Sequence, residues 1–216
     1  MTKNLRSRGG ILVVGILAGQ VLVLTSCIYV KSRVTFNKDG SGVVEMEYRI
    51  SKMITEIGGE DGAGGRLPIS EEELESSVAD NPNLTLRSVS QREDDNDIFI
   101  TAEIEFKNVE EFTDVEDFNS MPMKLEKDGN EYTFSQMISE GSEGEEESEE
   151  MDKETQAMME SFFEGYELVF TVQAPAPITE HNLGELSGDK RSVTYSIPLL
   201  EMSNLKEETI LEVKWR

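Results

Sequence analysis

One cysteine, one histidine and 44 Asp+Glu side chains make up most of the chemistry that this 216-residue chain can offer. The single imidazole, His181, could act as a general base. No G-x-S-x-G or comparable nucleophile setting surrounds it, and its stretch reads as a polar connection, so a loop or capping role is the plainer expectation. Asp94, Asp95 and Asp97 resemble the opening of a calcium loop, which gathers carboxylate oxygens around a hard cation. The Gly and distal Glu that complete such a loop do not follow, and the segment reads as a hairpin turn. Glu143, Glu145, Glu146, Glu147, Glu149 and Glu150 also lack cation-folding spacing, and like charges so close extend the chain. Two carboxylates across a cleft could hydrolyse a glycoside. Many pairs exist among 44 acids, but none comes with a recognisable apolar pocket. No catalytic residue, metal site or cofactor is therefore assigned, and a carboxylate-based hydrolase stays as an alternative.

The cysteine offers more specific chemistry. Lys3, Arg6 and Arg8 precede an apolar stretch, ILVVGILAGQVLVL, over residues 11–24. That stretch is shorter than the roughly 20 residues a spanning helix needs and reads as an export signal. Leu24-Thr25-Ser26-Cys27 follows. It resembles the bacterial lipobox, in which small residues admit a peptidase to the bond before the cysteine and the thiol takes a diacylglycerol thioether. The expected layout is a lipoprotein signal peptide at 1–26 and a single extracytoplasmic domain at 27–216. The domain would be held to the membrane through lipid on Cys27, with each buried CH₂ adding about 0.8 kcal/mol of membrane affinity. Ile28 follows the cysteine and not Asp, which resembles the default for outer-membrane export in a host with two membranes.

Charge narrows the partners. The chain carries −24 formally, and removing the signal, with its three bases and no acid, takes this to −27. Nucleic acid is excluded as a bulk-surface partner, because affinity there comes from neutralising phosphates. One cysteine excludes a disulfide framework.

The elements that must position these groups read as strands in hairpins with helices between some pairs. Residues 29–37 and 43–50 alternate around the turn Lys38-Asp39-Gly40-Ser41-Gly42. Ser51 to Ile57 reads as a short helix and Gly58 to Gly65 as a glycine-rich loop. Ser70-Glu71-Glu72-Glu73 matches a capping box. Strands follow at 84–92, 98–107, 123–127 and 131–138, with a short helix or 3₁₀ turn at 109–118. An acidic flexible insertion occupies about 139–151. Asp152 to Glu164 reads as a helix whose stripe, Met151, Met158, Met159, Phe162 and Phe163, is soft and adaptable. Packing is the commoner role for such a stripe. A ligand-facing role for Met158, Met159, Phe162 and Phe163 is the sharper one. Strands at 166–173, 191–197 and 210–215 close the chain, the last two expected to pair. The fold class expected is α+β, a mainly antiparallel sheet of about seven or eight strands with three or four helices packed on one face.

Several of these segments fall in a familiar order. The lipobox cysteine runs straight into a strand and the Asn37-Lys38-Asp39-Gly40-Ser41-Gly42 turn. Ala174-Pro175-Ala176-Pro177-Ile178-Thr179-Glu180-His181-Asn182 comes late, and Arg191-Ser192-Val193-Thr194-Tyr195-Ser196-Ile197-Pro198-Leu199 later still. This layout resembles the LppM-type bacterial lipoproteins. The resemblance implies an envelope protein with a curved sheet that binds a lipid or other hydrophobic ligand, and it supplies no catalytic residue. The leading expectation is thus a non-enzymatic, lipid-anchored envelope protein that binds a hydrophobic ligand or an envelope partner. The alternatives are a structural or assembly lipoprotein without a ligand, and the hydrolase above.

Overall fold

The computed structural model describes residues 28–52, 70–79, 81–115, 118–141, 165–202 and 204–216. Cys27, the acidic run and the Met/Phe stripe lie outside the described residues, as does nearly all of the helix read at 51–57. Ser51 itself is the last residue of a strand.

Among the described residues eleven strands form two sheets. The first hairpin is β1 (Ile28–Phe36) and β2 (Gly42–Ser51). Its turn is held by side chains as well as backbone. Asn37 N–H donates to the Ser41 carbonyl at 2.7 Å, and Asp39 Oδ1 accepts from Ser41 N at 3.1 Å and Ser41 Oγ at 2.7 Å. Gly40 has φ 93°, a left-handed conformation that costs glycine little. Gly42 is needed for space: a Cβ there would stand 2.1 Å from the Thr35 carbonyl oxygen and 2.5 Å from the Phe106 ring.

Helix α1 (Glu71–Ala79) starts where the capping box places it, with Glu73 N donating to Ser70 Oγ at 3.2 Å. It buries Leu74 and Val78 and packs along β3 (Leu84–Glu93). β3 pairs with β4 (Asp97–Phe106) across a bulge at Arg87. The extra residue keeps both Leu86 and Val89 on the inner face, opposite Ile104 and Ala102, and leaves Arg87 outside to reach Glu103 and Glu105. A 3₁₀ turn (Val109–Asp114) follows, capped by Asn108, whose side chain accepts from Glu110 N. Then come β5 (Met123–Asp128), β6 (Glu131–Ser139), β7 (Tyr166–Gln173), β8 (Ile178–His181), β9 (Glu185–Leu186), β10 (Ser192–Pro198), helix α2 (Leu199–Met202) and β11 (Thr209–Trp215).

The large sheet has the order β3-β4-β2-β1-β7-β10-β9, and the small one β5-β6-β11-β8. All pairings are antiparallel except β1 with β7, in register from Ile28↔Tyr166 to Thr35↔Gln173. β1 is thus the central strand of seven.

Three expectations need correction. Two sheets replace one, with more strands than expected. The layer over the large sheet's apolar face includes the four-stranded sheet, where helices were expected; α1 sits at the β3 edge and α2 beside β7 and β10. The last two long strands do not pair: β10 joins β7 and β9, and β11 joins β6 and β8. Alternation specifies which face of a strand is apolar, and both sheets need an apolar face, so the pattern alone does not sort strands between them.

The core lies between the sheets. Phe36 is its hub, with ring centroids 5.6 Å from Phe106, 5.2 Å from Phe134 and 5.2 Å from Trp215. Val34, Val44, Ile104, Leu211 and Val213 close around it, each at most 2% exposed. The segment from Ile28 to Arg216 contains this whole cluster.

Candidate functional site

The site begins with a position. Strand β1 starts at Ile28, the residue after Cys27. Five strand ends gather there: the start of β1, the end of β2, the β3–β4 turn, the start of β7 and the end of β10 with α2 behind it. Any group attached to Cys27 is therefore separated from the central strand by no linker.

At this end the inner face of the large sheet stays apolar. Tyr48 (1% exposed), Ile100 (0%) and Tyr166 (7%) are buried there, outside the cluster built around Phe36. Between the two groups the central strands carry half-buried side chains, Ser32 and Met46, although the neighbouring Val34 and Val44 are fully covered. The small sheet carries a polar residue in its apolar face, Gln136. It is 4% exposed and stands among the inward residues of β6, between Phe134 and Ile138, opposite Met123 and Leu211. The sequence reading does not single it out, although its parity puts a glutamine at an apolar position.

The same end carries a buried ion pair. Asp97, at the start of β4, is 5% exposed and accepts from the Arg49 guanidinium. Phe99 lies under two cations, with Arg92 3.8 Å and Arg49 5.5 Å from the ring centroid. The adjoining turn is tied by Asp94 Oδ1, which accepts from Asn96 N and Asp97 N at 2.9 Å each; these bonds hold the Asp94 carboxyl below its ordinary value. Asp94, Asp95 and Asp97 are thus a hairpin turn, as their spacing suggests. Among the described residues no group of three or more His, Cys, Asp and Glu is arranged to hold a metal ion.

The outer face of the large sheet is polar. An open groove of about 440 Å³ runs across β4, β2, β1 and β7, lined among others by Lys31, Arg33, Glu45, Glu103 and Thr171. Strand register sets the row Glu103, Glu45, Arg33, Thr171 and Thr194. Glu45 and Glu103 would repel if alone. Arg33 lies 3.8 Å from Glu45, and Arg87 3.2 Å from Glu103 and 3.0 Å from Glu105. Hydrogen bonds to Glu105 and then Glu103 hold the Arg87 guanidinium above its ordinary value.

His181 ends β8, half-buried, with Nδ1 3.2 Å from the Leu183 carbonyl. A carbonyl only accepts, so Nδ1 carries the proton, and the ring serves as a local clamp in the β8–β9 connection. Of the sequence-stated candidates, the structure describes His181 and Asp94, Asp95 and Asp97, and it brings His181 into contact with none of the three aspartates. Cys27, Met158, Met159, Phe162 and Phe163 fall outside the described residues. No described helix is long and apolar enough to cross a membrane.

Comparison with known proteins adds one likeness. No family model matches the chain, and no curated protein matches it in sequence. Among solved structures, the chain is similar to the folded domain of the LppM protein of Mycobacterium tuberculosis, determined by NMR. The identity is 12%, the match covers 88% of this chain and 89% of that one, and the TM-score is 0.49.

Proposed function

We propose that the chain is an extracytoplasmic lipoprotein, held at the membrane through lipid on Cys27, whose domain binds a hydrophobic ligand and performs no catalysis. The observation that carries the reading is the start of the central strand at Ile28, directly after the cysteine of the lipobox. A lipidated Cys27 would hold the Ile28 end of the large sheet against the bilayer, the end at which Tyr48, Ile100 and Tyr166 lie outside the core cluster. Ligand sites are mostly apolar with few polar groups, and that end has this composition.

What weighs against the hydrolase is the state of the acids. A glycosidase needs one carboxyl kept protonated in an apolar setting. The buried acid among the described residues, Asp97, is tied to Arg49, and Glu45 and Glu103 stand in an open groove, each beside a guanidinium.

The anchor is tested with the full chain. Wild type should partition into the detergent phase and incorporate labelled palmitate, and Cys27→Ala should do neither; a Cys27→Ala protein that partitions like wild type sinks the anchor. The ligand is tested by native mass spectrometry of residues 28–216 purified without detergent, with an organic extract of the same sample. An apolar molecule at fixed stoichiometry is the expected result. A clean protein mass would remove the ligand and leave an assembly lipoprotein, with the polar groove as the surface to examine.

A further inference from the structure

We infer that Asp128, at the tip of the β5–β6 hairpin, is a site of spontaneous isoaspartate formation, and that the fold protects Asp39 from the same reaction. The tripeptide Lys-Asp-Gly occurs twice in the chain, at 38–40 and at 127–129. A glycine after the aspartate leaves the attacking nitrogen uncrowded in both copies, so their intrinsic reactivity is closely matched. A difference between them comes from structure.

The reaction needs two groups that are free to meet. The Gly129 nitrogen attacks the side-chain carboxyl carbon of Asp128 in its acid form. The new C–N bond forms, the carboxyl C–OH bond breaks, and water leaves carrying the amide proton, which closes a cyclic imide. Water then opens the ring. Addition at the side-chain carbonyl restores aspartate, and addition at the main-chain carbonyl gives isoaspartate, with the chain running through the former side chain. The water lost is regained, and no oxidant, reductant or enzyme takes part.

At Asp39 both groups are tied. Its Oδ1 accepts from Ser41 Oγ at 2.7 Å and from Ser41 N at 3.1 Å, and the Gly40 N–H donates to the Asn37 carbonyl at 3.2 Å. The same bonds from Ser41 hold this carboxyl below its ordinary value, which depletes the acid form. At Asp128 neither group is tied. Asp128, Gly129 and Asn130 are exposed. Among the described residues, the Asp128 carboxylate and the Gly129 N–H take part in no hydrogen bond or ion pair. Asp128 pairs with Glu131, so Gly129 and Asn130 form a two-residue turn, with Gly129 at φ 61°. No atom lies within 4 Å of where a Gly129 Cβ would stand, so ring closure meets no steric bar.

The two turns share one end of the molecule. The Tyr132 hydroxyl donates to the Lys38 carbonyl at 3.3 Å, and Leu125 Cδ2 lies 3.3 Å from where a Gly40 Cβ would stand. Both meet the same solvent, which leaves the bonding of each turn as the difference. The damage would differ as well. Isoaspartate lengthens the main chain by a methylene. At Asp128 the extra length falls at the end of β5, an edge strand of the small sheet, and unsettles the Asp128↔Glu131 pair. At Asp39 it would fall between β1 and β2, beside the Phe36 hub.

The test uses the full chain, incubated in heavy-oxygen water both folded and in urea, then digested. Aspartate and isoaspartate peptides share a mass and separate by chromatography, and each ring opening leaves a heavy oxygen behind. In the folded chain, label and isoaspartate should accumulate at Asp128 at least about tenfold faster than at Asp39, the factor set by hydrogen bonds that must break before reaction. In urea the two rates should meet. Ser41→Ala removes the hydroxyl that holds Asp39 and should speed Asp39 while leaving Asp128 unchanged; Ser41→Thr, which keeps a hydroxyl, should restore the protection. Equal rates at the two sites in the folded chain overturn the inference, because the fold would then protect neither. A gap that persists in urea also overturns it, because sequence would then be the cause. So does a folded chain in which Asp128 stays unlabelled over the time that labels it in urea.

Discussion

The two ends of the large sheet are held by different physics. At the β1–β2 turn end, Phe36 gathers Phe106, Phe134 and Trp215, and Tyr132 stacks on Trp215 at 5.7 Å with planes 9° apart. That end is non-directional burial, strong and insensitive to salt. At the Ile28 end, β2 and β4 are fastened by the Arg49–Asp97 pair, the Arg92–Phe99 contact and the Asp94 turn. Directional bonds secure that end, apart from the cluster around Phe36. One end is held by packed rings and the other by charge and bond direction.

Breaking this contrast begins with its strongest term. Phe36→Ala removes the hub of the aromatic cluster and should cost about 3–5 kcal/mol, the range for a core Phe truncation; urea unfolding reads it. A loss below about 1 kcal/mol would mean that the sheets are held together elsewhere. Next, Asp97→Ala leaves the Arg49 guanidinium largely buried without its acid and should cost about 3 kcal/mol. Its melting curve should depend less on salt than wild type's, whereas Phe36→Ala should keep the wild-type salt dependence. Equal salt responses in the two variants would erase the distinction between the ends. Gly42→Ala drives a Cβ against the Thr35 carbonyl and the Phe106 ring, so β1 and β2 must part or the ring must move; overpacking of this kind costs about 1–3 kcal/mol. Thermal unfolding should register it, and an unchanged midpoint would show that the hairpin has slack.

The smallest effect is shared by both ends. Hydrogen bonds from Ser41 hold the Asp39 carboxyl below its ordinary value, as those from Asn96 and Asp97 do for Asp94. A carboxylate with a depressed folded value stabilises above its unfolded value, near 3.8, and loses that contribution as pH falls through the folded value. Both turns should therefore hold at neutral pH and loosen only below about pH 4. Amide shifts of Ser41 and Asn96 across pH 2–6 check this: midpoints at or above 3.8 would contradict it, and Asp39→Asn should remove the Ser41 transition alone.

Local features were readable in advance because local rules make them. Alternation and turn residues placed all three long hairpins, and the Ser70 capping box marked the start of α1 to the residue. Non-local pairing was not readable. Nothing in Tyr166–Gln173 says that it lies parallel to β1, because its apolar parity suits either direction. Ile178–His181 escaped notice since four residues beside two prolines carry too little alternation to separate a strand from a connection. The gathering of Tyr48, Ile100 and Tyr166 at one end was not legible, because it follows from the pairing of β1, β2, β4 and β7. Gln136 as a buried residue required the knowledge that β6 turns its even-numbered residues inward.

The parallel pairing of β1 with β7 has a consequence for biogenesis. β1 is synthesised before the other strands, yet its partner on one side arrives only with residues 166–173. Long-range strand pairing forms slowly, and an unpaired edge invites pairing with another chain. The newborn chain therefore passes through a period in which its β1–β2 hairpin waits with one side open. During that interval the protein is exposed to aggregation, and a chaperone acting then would need to shield a single strand.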